Sequence, residues 1–69
     1  MSGAVICKSN GEIILLSTGT YSDLESKMDY FSRIAVGKQV RLVKTDNINM
    51  AEILQDQSLI EEKFKDQFN

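Results

Sequence analysis

The sequence predicts a small α+β domain in which a β-hairpin is followed by a helix, a third strand and a C-terminal helical segment, in the order ββαβα. Three observations predict this fold: an Asn-Gly pair between two β-prone runs, capping patterns ahead of amphipathic segments, and an alternating segment between the helices. The 69 residues suffice for one domain, spanning 1–69. A hydrophobic content of 42% is typical of a packed chain rather than a disordered one.

The hairpin turn is predicted at Asn10-Gly11, because both central residues of a two-residue turn adopt positive φ. The flanking runs, 3–9 and 12–18, are the two strands. This turn sets the register of the hairpin. The predicted opposite pairs are Ser9 with Glu12, Cys7 with Ile14, and Val5 with Leu16.

Both faces of this hairpin are apolar. One face carries Val5, Cys7, Ile14 and Leu16, and the other carries Ala4, Ile6, Ile13 and Leu15. An antiparallel sheet in a small monomer commonly keeps one face in water. The pattern therefore leaves two interpretations: helices of the same chain cover both faces, or a second protein covers one of them.

A helix over 22–36 follows the hairpin. Ser22 and Glu25 have the spacing of a capping box, and Gly37 is a typical stop after a helix. The apolar stripe of this helix is Leu24, Met28, Phe31 and Ala35. Tyr21 and Tyr30 flank it, and they are open to two interpretations: an exposed contact surface or packing on the sheet.

The third strand is predicted over 39–44, with Val40 and Leu42 on one face and Arg41 and Val43 on the other. A strand–helix–strand crossover places it parallel to the second hairpin strand. The remaining segment carries two capping patterns, Asn49 to Glu52 and Ser58 to Glu61. It is either one helix of about five turns or two shorter helices broken near 56–58.

The residue types weigh against catalysis and metal binding. The chain has no His, and its one Cys can form neither an internal disulfide nor a usual zinc ligand set. Cys7 lies in mid-strand without a His partner and is interpreted as a buried structural thiol. The four glycines have no phosphate-binding spacing. We expect a non-enzymatic protein without cofactor or metal.

The net charge of −2 and the pI near 4.9 weigh against nonspecific nucleic-acid binding. Lys38, Arg41 and Lys44 form the one local basic group in the sequence. They could contact an acidic partner or a phosphate backbone, or they could be edge-strand charges that discourage aggregation. A nucleic-acid-binding dimer that uses these three residues is one alternative function. A small-ligand or anion site at the Thr18–Ser22 turn is the other, against its interpretation as an ordinary strand-to-helix turn.

Self-association is predicted because a core of this size rarely supplies more than about 3–5 kcal/mol. A homodimer through the sheet or the C-terminal helix would bury the excess apolar surface. The predicted partner or dimer interface consists of Ile6, Ile13, Leu15, Ile60, Phe64 and Phe68. The leading hypothesis is a small acidic protein-interaction module, either an adaptor subunit or an inhibitor of a larger protein, as phages encode.

We expect a cytoplasmic protein with no membrane association. The longest apolar run is Ile13–Leu16, far below the length of a membrane span, and the first residues lack the basic and apolar regions of a signal peptide. A lone thiol fits a reducing compartment.

Two family resemblances follow from this organisation. The stretch 3–23, with Ser9-Asn10-Gly11 and Thr18-Gly19-Thr20 around the second strand, resembles the hairpin-to-helix part of roadblock-type dynein light chains, which are dimeric scaffolds. It covers about a third of the chain. The ββαβα order and the length are similar to the smallest subunit of the transcription and repair factor TFIIH. That family's Asp-Thr-His-type signature is absent, and neither resemblance transfers a residue role.

Overall fold

The computed structural model describes residues 1–68 and has the predicted ββαβα order, with each helical part divided in two. The elements are β1 (Ser2–Ser9), β2 (Glu12–Thr20), α1 (Tyr21–Ser26), α2 (Met28–Ile34), β3 (Gln39–Lys44), α3 (Met50–Gln55), α4 (Ser58–Phe64) and a 3₁₀ helix, η1 (Lys65–Phe68). The fold class is therefore confirmed as a small α+β domain.

The three strands form one antiparallel sheet in the order β2-β1-β3. The first strand of the chain is thus the central one, and it pairs antiparallel with both neighbours. Because β2 and β3 both run against β1, they run parallel to each other, as the crossover predicted. Both are edge strands of the sheet.

The hairpin turn is confirmed: Asn10 has φ 53° and Gly11 has φ 81°. The register is also as predicted near the turn, where Ser9 pairs with Glu12 and Cys7 with Ile14.

The predicted pairing of Val5 with Leu16 is wrong. Ile6 pairs with Leu15 but Val5 pairs with Ser17, so the register shifts by one residue at Leu16. A single extra residue of this kind is a β-bulge, which bends and twists its strand locally. Leu16 still packs beside Val5, on the face that the alternation assigned to it.

Both sheet faces are covered by helices of the same chain. On one face, Val5 packs with Leu24 of α1 and Phe31 of α2. On the other, residues of β1 and β3 pack with α3 and α4, and the buried members of this cluster are Ala4, Ile6, Val43, Ile53, Ile60 and Phe64. The chain's own helices thus shield most of the two apolar hairpin faces, but Ile14 of β2 is 41% exposed.

The predicted single helix over 22–36 is divided at Lys27, which has φ −105° and ψ 8°. The Ser26 hydroxyl donates to the Asp23 carbonyl at 2.7 Å, and the Lys27 N–H donates instead to Leu24 O at 3.0 Å. A side chain that takes a backbone acceptor in this way tightens and ends a helical turn. The end of α2 before Gly37, with φ 79°, is as predicted.

The predicted capping box at Ser22 is wrong. Strand β2 runs without a loop to Thr20, which is the N-cap residue of α1 and makes no side-chain capping bond. Ser22 therefore already lies inside the first turn of the helix. Only the apolar stripe is retained: Leu24, Phe31 and Ala35 are buried and Met28 is half-buried.

The C-terminal segment adopts the second of its two predicted arrangements, two short helices broken near Asp56. Asn49 caps α3 as predicted, since its side chain accepts from the Glu52 N–H at 3.3 Å. The predicted cap at Ser58 is wrong, because Asp56 supplies the acceptor. Its Oδ1 accepts from the Ser58 N–H at 3.1 Å and from the Ser58 hydroxyl at 2.7 Å.

These caps predict different costs for two small substitutions. Asn49→Ala should lower the free energy of unfolding by about 1 kcal/mol, because it removes the acceptor of a first-turn amide. Ser22→Ala should change it by less than about 0.5 kcal/mol, as for a surface position without a structural role. Urea denaturation followed by circular dichroism measures both; equal losses would contradict the assignment of the caps.

Phe64 and Phe68 provide a matched pair for the core. Phe64 is buried among β1, α3 and α4, whereas Phe68 is half-buried at the rim of that cluster. Phe64→Ala should cost about 3–5 kcal/mol, comparable with the whole stability of a domain this small. We expect Phe64→Ala to be largely unfolded at 25 °C by circular dichroism and Phe68→Ala to remain folded. A folded Phe64→Ala protein would contradict this packing.

Candidate protein-binding surface

The two edges of the sheet differ in how their backbone groups are satisfied. The Thr45 N–H donates to the Ser2 carbonyl at 3.1 Å, which continues the ladder between β3 and β1. Because the direction of backbone groups alternates along a strand, the N–H groups of Val43 and Arg41 also face β1. The N–H groups of Val40, Leu42 and Lys44 therefore point away from the sheet.

The edge at β2 is partly covered. The Ile13 N–H points outward, and the Glu61 carboxylate of α4 accepts from it at 3.3 Å. A carboxylate placed on an outward amide blocks the approach of another strand at that position. Helix α4 thus shields the start of β2.

The edge at β3 is open. Among residues 1–68, none supplies an acceptor to the outward N–H groups of Val40, Leu42 and Lys44. The outward Val40 carbonyl has one partner, the Arg41 Nη1 at 3.2 Å, which belongs to an exposed side chain. We call the outward backbone groups of Val40, Leu42 and Lys44 the β3 edge.

Exposed apolar side chains lie on and directly after α2, the helix that packs against β3. Tyr30, Ile34 and Val36 are 60%, 55% and 77% exposed. Phe31 points the other way, into the cluster that includes Val40 and Leu42, and so holds α2 against β3. We call Tyr30, Ile34 and Val36 the α2 flank.

The Tyr30 ring is fixed by its neighbour. It makes an edge-to-face contact with the Phe31 ring, with centroids 5.5 Å apart. The Tyr30 ring is thus exposed to solvent and rests against the buried Phe31 ring. Tyr30 is therefore exposed rather than packed on the sheet, and its role as a contact residue stays a prediction.

The three basic residues of the sequence do not form a single ridge. Lys38 precedes β3 and Lys44 ends it, about 20 Å apart along the strand direction. Arg41 lies on the opposite face of the sheet, with its guanidinium carbon 5.9 Å from the centroid of the Phe68 ring. The Lys44 Nζ lies 5.5 Å from the centroid of the Tyr21 ring. The edge is therefore basic along its length and on both faces.

The predicted interface residues fall into two groups. Ile6, Ile60 and Phe64 are buried in the chain's own core. Ile13, Leu15 and Phe68 are half-buried and pack against that core. The homodimer stays a prediction. The α2 flank was missed except for Tyr30, although Ile34 and Val36 are apolar residues outside the predicted helix stripe.

The Thr18–Ser22 segment is a strand end rather than a loop. Thr18 and Thr20 pair with β1, and α1 begins at the next residue. The Tyr21 N–H donates to the Met1 carbonyl at 2.8 Å. The first backbone donor of this helix is therefore already used within the chain.

The end of β3 is fastened to β1 by a polar cluster. Asp46 Oδ1 accepts from the Ser2 N–H at 2.8 Å and from the Ser2 hydroxyl at 3.2 Å. The buried Thr45 hydroxyl donates a hydrogen bond to the same Ser2 hydroxyl at 3.1 Å. The bond from the Ser2 N–H is the main reason why the pKa of the Asp46 carboxyl lies below its ordinary value. Partial desolvation opposes this shift.

The described part of the chain has no cluster of metal ligands, and it has two surface depressions of different size. Within residues 1–68, no three His, Cys, Asp or Glu side chains are close enough to hold a metal ion. Cys7 is a buried free thiol. A cavity of about 80 Å³ between Ile48, Leu59 and Lys63 is well below the roughly 300 Å³ at which ligand pockets begin. A larger depression of about 470 Å³, which is wide open to solvent, lies beside Gly3, Thr18 and Thr20, at the segment predicted as a small-ligand or anion site. No helix in this range combines the length and hydrophobicity needed to cross a bilayer.

Comparison of the chain with protein-family models, curated proteins and solved structures found no match.

The Asp46 cluster predicts a specific acid response. A lowered native pKa means that the charged carboxylate stabilises the fold above the unfolded-state pKa of about 3.9, and that this contribution is lost as the pH falls through the native pKa. The melting temperature of Asp46→Asn should therefore lie below that of the wild type near neutral pH. The difference should shrink below about pH 4 and vanish at lower pH. A difference independent of pH would contradict the role of the charge.

Proposed function

We propose that this chain is a small non-enzymatic protein-interaction module, an adaptor subunit or an inhibitor, that binds another protein through the β3 edge and the α2 flank. The observation that carries the proposal is that, within residues 1–68, β3 has outward backbone donors without acceptors, and that the helix packed against β3 exposes large apolar side chains. Strand addition to a sheet edge, with side-chain anchors beside it, is a common mode of peptide and protein recognition.

The composition of the surface supports this proposal. Aromatic residues are enriched at protein interfaces, and Tyr30 combines high exposure with a fixed ring. Leu54 is similarly exposed, at 58%, but it belongs to α3, in the other helical layer. A scattered apolar residue of that kind is normal on a monomer and needs no partner.

The chemistry of the residues favours binding over catalysis. The chain has no His. Its one thiol, Cys7, is buried in the central strand. Asp46 and Glu61, the two carboxylates with long-range hydrogen bonds, satisfy backbone N–H groups and hold elements together.

Of the proposed partners, another protein is better supported than nucleic acid. A phosphate backbone is bound by cations that share one surface, whereas Arg41 and Lys44 lie on opposite faces of β3. A homodimer remains compatible with the proposal. A second copy could contact the α2 flank or Ile14 of β2, which is 41% exposed.

Site-specific photocrosslinking tests this proposal. We would place p-benzoylphenylalanine at Ile34 or, as a matched control, at Leu54, in cells that natively express the protein. The two positions are similarly exposed, so incidental collisions should label them equally. We expect discrete adducts from position 34 and none from position 54.

The mass of the adduct distinguishes the partners. An adduct of twice 7.8 kDa identifies a homodimer, and a larger one identifies a different protein. Equal labelling at both positions, or no adduct at position 34, would contradict a binding surface at the α2 flank.

A further inference from the structure

We propose that the β3 edge takes up an extended acidic segment of another protein as a fourth strand of the sheet. This inference rests on the proposed function, and it names the chemistry of the partner. Three independent features lead to it: the direction of the backbone groups, the sign of the local charge, and the exposed apolar side chains of α2, which packs against β3.

The backbone groups define the binding mode. The outward N–H groups of Val40, Leu42 and Lys44 recur at every second residue, about 6.6–6.8 Å apart. An extended chain presents its own acceptors and donors with the same spacing. A helix cannot, because its backbone groups bond within the helix. The segment that fits this edge is therefore a strand.

One contact within the chain must be exchanged when the strand binds. The Arg41 Nη1 holds the outward Val40 carbonyl at 3.2 Å. An incoming backbone N–H would replace it and release the guanidinium. Arg41 would then be free to pair with a carboxylate of the bound segment on the same sheet face, in the two-point geometry that Arg forms with carboxylates.

The local charge selects an acidic segment. Residues 38–44 carry Lys38, Arg41 and Lys44 and no acidic residue, although the whole chain has a net charge of −2. The nearest acid along the chain, Asp46, is engaged by Ser2. Because side chains of an added strand alternate between the two faces, carboxylates on either face would meet a cation. Opposite charges across strands are favourable and like charges are not.

The same charge disfavours a second copy of β3 at this edge. Pairing two such strands would bring six cations together without a carboxylate between them. Charged residues on an edge strand are a common means of preventing this self-pairing. The charge of the β3 edge therefore favours an acidic strand over a second copy of β3.

The α2 flank adds apolar recognition. Phe31 holds α2 against Val40 and Leu42 of the edge strand, and the same helix carries the exposed Tyr30 and Ile34. A segment with an aliphatic side chain among its acidic residues could pack there. The recognised sequence is therefore a short extended run in which acidic and β-branched or aliphatic residues alternate.

Peptide selection and NMR test the proposal on the full chain. The probe is a phage-displayed library of random dodecapeptides, selected against the folded protein at low salt. We expect the enriched peptides to alternate acidic with aliphatic residues. The best synthetic peptide should shift the backbone amide signals of Val40, Leu42 and Lys44 and slow their hydrogen exchange, and its binding should weaken with added salt.

Charge-reversed variants give the matched control. The double variant Lys38→Glu, Arg41→Glu should lose about fivefold or more in affinity, as expected for two exposed ion pairs. Lys63→Glu, with the same change per site on α4 in the other layer, should stay within about twofold. Circular dichroism verifies that the variants are folded. Equal losses would overturn the proposal.

Four other outcomes would also overturn it. These are enriched peptides without acidic residues, signal shifts at Ile13 and Leu15 instead of β3, competition by an oligothymidine of similar length, and concentration-dependent protection of the β3 amides without peptide. The last outcome would assign the edge to a second copy. Adducts at position 34 without any β3-edge peptide would leave the interaction module standing and remove only the acidic strand.

Discussion

The structure depends on the burial of β1 from both sides. Its residues Ala4–Cys7 are buried without interruption, because strands flank them within the sheet and helices cover both faces. A chain of this length cannot form two separate cores, so both helical layers pack on the one sheet. Val5 and Ile6 are neighbours in sequence, yet each belongs to a different apolar cluster. Both clusters therefore depend on the same strand.

A sheet of three strands with the first strand in the centre has two edges. The chain continues from β3 into α3 and α4, and this C-terminal layer brings Glu61 to the start of β2. No comparable contact reaches the outward N–H groups of β3 within the described residues. The unequal protection of the edges thus follows from the path of the chain. It leaves open the edge of β3, the strand against which α2, with the exposed Tyr30 and Ile34, is packed.

The sequence predicted the elements whose causes are local and strong. The turn at Asn10-Gly11 predicted the register of the hairpin near the turn. The alternation at Val40 and Leu42 predicted which residues share a face of β3. The helix breaks were harder to predict, because Ser26 and Asp56 act through side-chain hydrogen bonds to nearby groups, which leave the spacing of the apolar residues unchanged. The bulge at Leu16 could also not be predicted, because the alternation of side chains along the strand gives no sign of it.

The candidate surface was harder to predict because periodicity identifies an apolar face without naming what covers it. Phe64 was predicted as an interface residue and lies in the core, whereas Ile34 was not considered and is exposed. The deciding information is which helix packs on which strand.

The net charge of the whole chain likewise does not describe the local charge. The chain has a net charge of −2, yet Lys38, Arg41 and Lys44 lie at the open edge strand β3. In the proposed interaction, those cations would both oppose the pairing of two β3 edges and attract an acidic strand.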